Sequence, residues 1–311
     1  MDRTDRTPAP QQDPQQDPQT RASGAPRTIA VIGSTGQLGR SAVEVFAARG
    51  HRVLAVARGR QTDLPAGVEA RVADVTRPQT LPGALEGAEA VHLSLSGGND
   101  PEQIRAVEDE GVRHVARAAG QLGITRISMI SGMYARPEFA DHPGEGAKVR
   151  AEQHLLAART PATVFRPAFF AETLESFVQN GRGMLLGPQP HTLHPIISAD
   201  LMDAIARSYA MPQAQDRVFE VTGREPMTLK SALRRYLEAT RPGAKVTVMP
   251  LWFMSPVNRL FMKGGLTRAL DTMGLMQAHG EIADPTTYFQ VFGEQTTPFD
   301  AWLEQQPVRS A

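Results

Sequence analysis

The sequence predicts a doubly wound α/β fold: a parallel sheet with helices on both faces, followed by a smaller C-terminal α/β region. Three observations predict it. From Thr28 on, short β-branched runs alternate with helix-length amphipathic stretches, and that rhythm requires parallel strands joined by right-handed crossovers. The first run passes directly into glycines at Gly33, Gly36 and Gly39, the last already inside a helical pattern. The chain has 311 residues, 41% of them hydrophobic, enough for one large core with an appendage.

In order, Thr28 to Ile32 is the first strand and Leu38 to Arg49 the first helix, which Gly50 ends. Strands follow at Arg52 to Ala57, Val68 to Val72 and Ala90 to Leu95. Pro101 suits the first turn of a long helix reaching Ala119. Then come a strand at Arg126 to Ile130, a helix at Glu145 to Ala158 and a strand at Ala162 to Phe165. After Arg166 the rhythm is mixed. It predicts a helix at Ala171 to Gln179, a Gly/Pro-rich loop, a strand at His194 to Ile197, and a helix to Ala210 capped by Ser198. A strand at Val218 to Thr222, a helix at Leu229 to Thr240 and a strand at Lys245 to Met249 follow. The expected division is a tail over 1–26, a sheet domain over 27–170, and a substrate-side region over 171–311 interleaved with the main sheet. The tail, rich in Pro, Gln and Asp, has too little apolar surface to offset its ordering entropy and is expected to be disordered.

Composition excludes several functions. Lys plus Arg and Asp plus Glu each number 33, so the formal charge is zero and no basic field for nucleic acid exists. The absence of cysteine removes disulfides, thiolate metal sites and thiol nucleophiles. The most apolar late stretch, Val246 to Met262, is short for a membrane span and is broken by Pro250, Pro256, Asn258 and Arg259. The N-terminus has no apolar run of the signal-peptide kind. A cytoplasmic protein with a small-molecule substrate and no nucleic-acid or membrane partner is expected. His191 and His194 have no obvious carboxylate nearby in sequence, so no metal is expected. Met249, Leu251, Trp252, Phe253, Met254, Leu260, Phe261 and Met262 read as core or as the wall of an apolar pocket.

The spacing Gly33-x-x-Gly36-x-x-Gly39 places one glycine at a strand end and another in the first helical turn. A Rossmann dinucleotide site needs glycine there for the tight turn, for close approach of the pyrophosphate, and for helix–strand packing. The helix start then presents unpaired N–H groups to the phosphates. Gly33, Ser34, Thr35, Gly36, Gln37, Leu38 and Gly39 are therefore the expected cradle. At the end of the second strand a carboxylate would favour NAD, whereas this chain has Ala57-Arg58-Gly59-Arg60. Arg58, helped by Ser34 or Arg40, points to NADP(H), with NAD(H) the second choice.

With these motifs in place, the chain resembles the short-chain dehydrogenase/reductase superfamily, in its extended and atypical NmrA-like branches. The resemblance covers Thr28 to Ala210 well and the remainder loosely. It rests on the glycine loop, Asp74-Val75, Ser94-Leu95-Ser96, Ser131-Gly132-Met133-Tyr134, Lys148-x-x-x-Glu152, Arg166-Pro167-Ala168-Phe169 and His194 to Asp200. It implies that Asp74 and Val75 meet adenine and that Ser94, Leu95 and Ser96 lie near the cofactor ribose. By the same resemblance Pro167, Ala168 and Phe169 lie beside the nicotinamide, and Ser131 and Lys148 reach both cofactor and substrate.

One departure bears on catalysis. Active relatives carry a tyrosine four residues before the lysine, and here that position is Gly144. Three routes for the proton remain open: Lys148 itself, Tyr134 after the fifth strand, or water with an acceptor such as a quinone that needs no protein acid. The resemblance thus implies an NADP(H)-dependent oxidoreductase acting on a small apolar or aromatic carbonyl, quinone or enone. The alternative is a non-catalytic NmrA-like redox sensor that acts on a protein partner.

Overall fold

The computed structural model describes residues 27–261 and 264–309, so the tail expected over 1–26 lies outside the described residues. The strands β1 (Thr28–Ile32), β2 (Arg52–Ala57), β3 (Glu69–Val72), β4 (Ala90–Leu93), β5 (Arg126–Ile130), β6 (Ala162–Pro167) and a seventh, Arg217–Val221, form the central sheet. Their order is Arg217–Val221, β6, β5, β4, β1, β2, β3, and every pairing is parallel. The chain grows outward from β1 to β3 and then crosses back to β4. In such a sheet the reversal opens a crevice at the carboxyl ends of β1 and β4, where ligands bind.

Period-two alternation sends Ile29 and Val31 of β1 to one face and Ala30 and Ile32 to the other. On the first face they meet Phe46 of α1 (Gln37–Ala48) and Ile205 and Tyr209 around helix Ser198–Ser208. On the second they meet Val112, Val115 and Ala119 of Gly111–Leu122 and Leu155 of Pro143–Leu156. Burying each large side chain contributes about 1.5–3 kcal/mol. A one-residue slip would exchange the faces of a whole strand, so the packing fixes the register.

Four expectations change. The helix expected at Ala171 to Gln179 is a 3-10 segment, Ala171–Phe177, running into a two-residue strand, Val178–Gln179. Its buried residues Ala171, Leu174 and Phe177 recur every third position, the period of a 3-10 turn. Ser198 starts its helix instead of capping it: its N–H and hydroxyl both donate to Glu172 Oε1, at 2.8 and 2.7 Å. The long helix continues to Leu122, ends at left-handed Gly123, and contains a π segment at Arg105–Glu110. The apolar cluster around Trp252 belongs to helix Leu251–Phe261, whose periodicity splits it: Met254 is buried, while Trp252, Phe253 and Leu260 are exposed.

The substrate-side region pairs Arg182–Leu186 with Val246–Met249 and adds helices Thr267–His279, Thr286–Phe292 and Phe299–Glu304. Among the described residues no helix is long and apolar enough to cross a membrane.

His92 of β4 is wholly buried, with Nδ1 2.8 Å from Ser128 Oγ and Nε2 without a partner. Burial pushes its pKa from 6.5 down to about 3. The folded imidazole stays neutral, whereas the unfolded one binds a proton below its ordinary value. Stability from this group is therefore full above pH 6.5 and falls as the pH drops toward 3. Thermal melts between pH 7 and pH 5 are expected to show a declining Tm, with a shallower decline in His92→Asn. An unchanged slope would assign the acid sensitivity to other groups.

Candidate cofactor and substrate site

The glycine loop divides its work between fold and ligand. Gly33 has φ +88°, and a Cβ on it would stand 2.1 Å from the Ser94 carbonyl oxygen. A Cβ on Gly39 would stand 2.1 Å from the Gly33 carbonyl oxygen. Both glycines are thus demanded by backbone contact. Gly36 is different: it is exposed, and a Cβ there would meet nothing nearer than that same carbonyl at 3.4 Å. The space it leaves is open to a ligand. Gly36 caps α1 without a side-chain hydrogen bond, and the first turn, from Gln37 and Leu38, contains no acid. Its N–H groups and the positive end of the helix dipole face outward, as phosphate binding requires.

A cleft of about 160 Å³ runs from this loop across the switch point. Gly33, Thr35, Gly36, Arg58, Asp74, Val75, Ser94, Leu95 and Ser96 all line it, so the structure gathers these predicted residues in one place. Asp74 accepts from the Thr76 hydroxyl and N–H, at 2.8 and 2.9 Å. Burial alone would raise its pKa, but those bonds and the nearby Arg77 and Arg58 charges hold the carboxyl below its usual range. Ser34 lines an adjoining hollow. Its buried hydroxyl lies 3.0 Å from the Val56 carbonyl and 2.8 Å from Gln61 Oε1, fastening the loop after β2. Arg40 and Arg60 line the same hollow with Thr35, together with Glu44 and Asp63. These residues fit a dinucleotide: an open glycine, uncapped N–H groups, and arginines at the ribose end.

The expected catalytic side chains are spread over two settings. Ser131, at the end of β5, donates to Glu152 Oε1 at 2.5 Å. Glu152 also accepts two bonds from Arg166, at 2.9 and 2.5 Å, and is 4% exposed. Removing one partner of such a buried pair costs about 3–5 kcal/mol, so this triad braces β5, β6 and helix Pro143–Leu156. Tyr134 is 3% exposed and donates to the Gly280 carbonyl at 2.5 Å. Burial first, then the Glu145 and Glu281 carboxylates, push its pKa upward. Lys148 Nζ lies 3.8 Å from Glu145 Oε1, and a Cβ on Gly132 would stand 2.6 Å from that nitrogen. The amine therefore rests over the end of β5, where glycine leaves it room. Ala168 and Phe169 wall a small hollow with Met133, Gly280 and Glu281, and Pro167 ends β6.

Sequence reasoning missed Arg268. Where a side chain on Gly144 would begin, the Arg268 guanidinium lies at 3.8 Å. It is held there by Glu108 of the π segment: Arg268 Nη2 donates to Glu108 Oε2 at 2.9 Å, and Nη1 also bonds the carboxylate. Glu108 accepts the Gly97 N–H as well, at 2.7 Å. Nothing in the local sequence links residues 108 and 268, which lie 160 positions apart. Arg268 lines an apolar cleft of about 570 Å³ with Gly98, Phe177, Met184, Met254 and Met273. The loop after β4 thus serves both clefts, through Ser94 to Ser96 on one side and Gly98 and Asn99 on the other.

His194 Nδ1 pairs with Glu281 Oε1 at 2.7 Å, so a carboxylate distant in sequence does lie beside it. Among the described residues no group of three or more such side chains could hold a metal ion.

The two kinds of glycine can be separated. Gly36→Val is expected to fold with a Tm close to the parent and to lose dinucleotide binding by calorimetry. Gly39→Val is expected to fail to fold. Retained affinity in Gly36→Val would remove the loop from the site.

Comparison with known proteins agrees with this geometry. A family described as NAD(P)H-binding matches residues 33–212, more than half of the chain. The photosystem II assembly factor Ycf39 of Trieres chinensis is 25% identical over 75% of this chain and 76% of its own length. The chloroplastic divinyl chlorophyllide a 8-vinyl-reductase of Zea mays is 28% identical over 65% of this chain and 61% of its own. An Escherichia coli NADPH-dependent quinone oxidoreductase, solved with NADPH, superposes with a TM-score of 0.67 at 22% identity, covering 88% of this chain and 98% of that one. The chain belongs to the NAD(P)H-binding family and has a Rossmann-like α/β fold.

Proposed function

We propose that the protein is an NADP(H)-dependent oxidoreductase that reduces a small apolar or aromatic carbonyl, quinone or enone. The observation that carries this reading is the apolar cleft of about 570 Å³, lined by Gly98 and Asn99 of the same loop after β4 whose Ser94, Leu95 and Ser96 line the dinucleotide cleft. A non-catalytic sensor has no need of such a space, whereas mostly apolar pockets with few polar anchors suit small organic ligands. The names of the reductase relatives support the same reading.

The chain's own groups divide the task. Gly36 and the start of α1 take the pyrophosphate, and Arg58 takes a 2′-phosphate with Arg40 or Arg60 behind it. When bound, the dinucleotide supplies hydride. Of the three side chains expected to be catalytic, Ser131 and Tyr134 have their hydroxyl protons engaged by Glu152 and Gly280. Lys148 has its nearest carboxylate at 3.8 Å, longer than a hydrogen bond, so its ammonium is free to turn toward a substrate oxygen. Tyr134 is then a wall residue. Water completes the reaction where the acceptor is a quinone.

A second reading, an NmrA-like sensor that binds the dinucleotide without consuming it, draws on Gly144 and on the Ycf39 relatives. Its partner would be another protein.

Thermal-shift titration with NADPH and NADH comes first, and a larger shift with NADPH is expected. Arg58→Ala is expected to weaken NADPH by about tenfold to a hundredfold, the range for a charge-assisted hydrogen bond, with little change for NADH. Equal losses would make Arg58 a bystander. Lys148→Met is expected to lower quinone reduction by about a hundredfold. Gly132→Ala, which displaces the lysine, should lower it in the same direction with the fold intact. Binding of NADPH with no consumption across carbonyl, enone and quinone acceptors would put the sensor reading first.

A further inference from the structure

The helix Leu251–Phe261 carries an apolar face that nothing among the described residues covers. Trp252 is 77% exposed, Leu260 73% and Phe253 44%. At 100° per residue, Trp252, Pro256, Arg259 and Leu260 fall on one side, while Met254 and Asn258 point inward and are buried. Asn258 locks the inner side: its Oδ1 accepts the Leu266 N–H at 2.8 Å and its Nδ2 donates to Thr267 Oγ1 at 3.2 Å. Met254 and Leu266 are also walls of the large apolar cleft. The exposed face is thus the outer surface of a cleft wall.

Charge is uneven here. Between Glu238 and Asp271 the sequence carries Arg241, Lys245, Arg259, Lys263 and Arg268 and no acid, in a chain whose net charge is zero. Arg241 and Arg268 are paired with Glu175 and Glu108. Lys245 and Arg259 are exposed. A tryptophan, a phenylalanine and a leucine beside an arginine, flanked by unbalanced basic charge, form the composition of a helix lying at a headgroup boundary. A second copy of the chain fits less well. Three large apolar side chains fall short of the roughly 800 Å² per partner that a stable dimer buries.

We propose that this face seats the protein on the surface of a lipid bilayer with anionic headgroups, and that the cleft behind Met254 takes an acceptor dissolved in that bilayer. The seating stands on the helix alone, and the acceptor rests on the reductase reading above. That no helix among the described residues is long and apolar enough to cross a membrane does not bear on a helix lying in the interface plane, although the sequence led to the expectation of no membrane partner.

The chain has two tryptophans, and Trp302 is buried, so Trp252 reports on its own surroundings. The full chain is mixed with vesicles of phosphatidylcholine, alone or with phosphatidylglycerol, and followed by tryptophan emission and by flotation. Expected are a blue shift and co-flotation with the phosphatidylglycerol vesicles, weakened by salt. The triple variant Trp252→Ser, Phe253→Ser, Leu260→Ser should lose at least about tenfold in partitioning, and Arg259→Gln about fivefold. Both change exposed positions, and an unaltered Tm verifies that they fold. No flotation with either vesicle, or equal flotation of the triple variant, overturns the proposal. So does concentration-dependent dimerisation of the parent that the triple variant abolishes, since a second copy would then own the face. Turnover of a water-soluble short-chain quinone is measured separately. Flotation without turnover retains the seating and sinks the bilayer-dissolved acceptor together with the reductase reading. Turnover without flotation does the reverse for the seating.

Discussion

The carbonyl oxygen of Ser94 stands 2.1 Å from where a side chain on residue 33 would begin. That contact closes the base of the crevice between β1 and β4, and the rest of the site is stacked on it. Gly33 must take a positive φ to pass beneath the carbonyl, and its own carbonyl is then roofed by Gly39. The helix that follows can start only where this double approach leaves it. Its uncapped N–H groups are aimed by backbone packing, with no side chain involved. Orientation of this kind costs no rearrangement when an anion arrives.

The central sheet was legible because its strands are buried on both faces and read as unbroken apolar runs. β2 and β5 match their expected ranges, Arg52 to Ala57 and Arg126 to Ile130. The edge strand β3 carries exposed Val72 and alternating burial, and its start was placed one residue early. The 3-10 segment at Ala171 was misread because spacings of three and of 3.6 residues are alike over two turns. The π segment at Arg105–Glu110 left no sequence trace, and the arginines that pair with its Glu108 and Asp109 are distant in sequence.

The site divides along the same line. Residues that follow a strand were legible as neighbours, because topology alone brings Arg58, Asp74 and Ser94 to one crevice. Residues that meet through tertiary packing were not. Glu152 was read as part of a lysine motif, yet its carboxylate braces Ser131 and Arg166. Arg268 stands beside the place a tyrosine would occupy, and a glycine at position 144 is compatible with that approach. The polar group beside Gly144 is thus a guanidinium that the substrate-side region supplies, held there by Glu108.

The π segment has one more consequence. Glu108 and Asp109 are neighbours in sequence, yet Glu108 grips Arg268 of the substrate-side region while Asp109 grips Arg150 and His154 on the lysine-bearing helix. One wide turn of backbone is therefore the shared anchor of both walls. The C-terminal region is not an interchangeable module: a graft from a relative would strand the buried Glu108 carboxylate unless it brought its own cation to the same spot. Diversification of this scaffold toward new acceptors is thereby channelled into the cleft-facing side chains, while the crossing at residue 108 stays fixed.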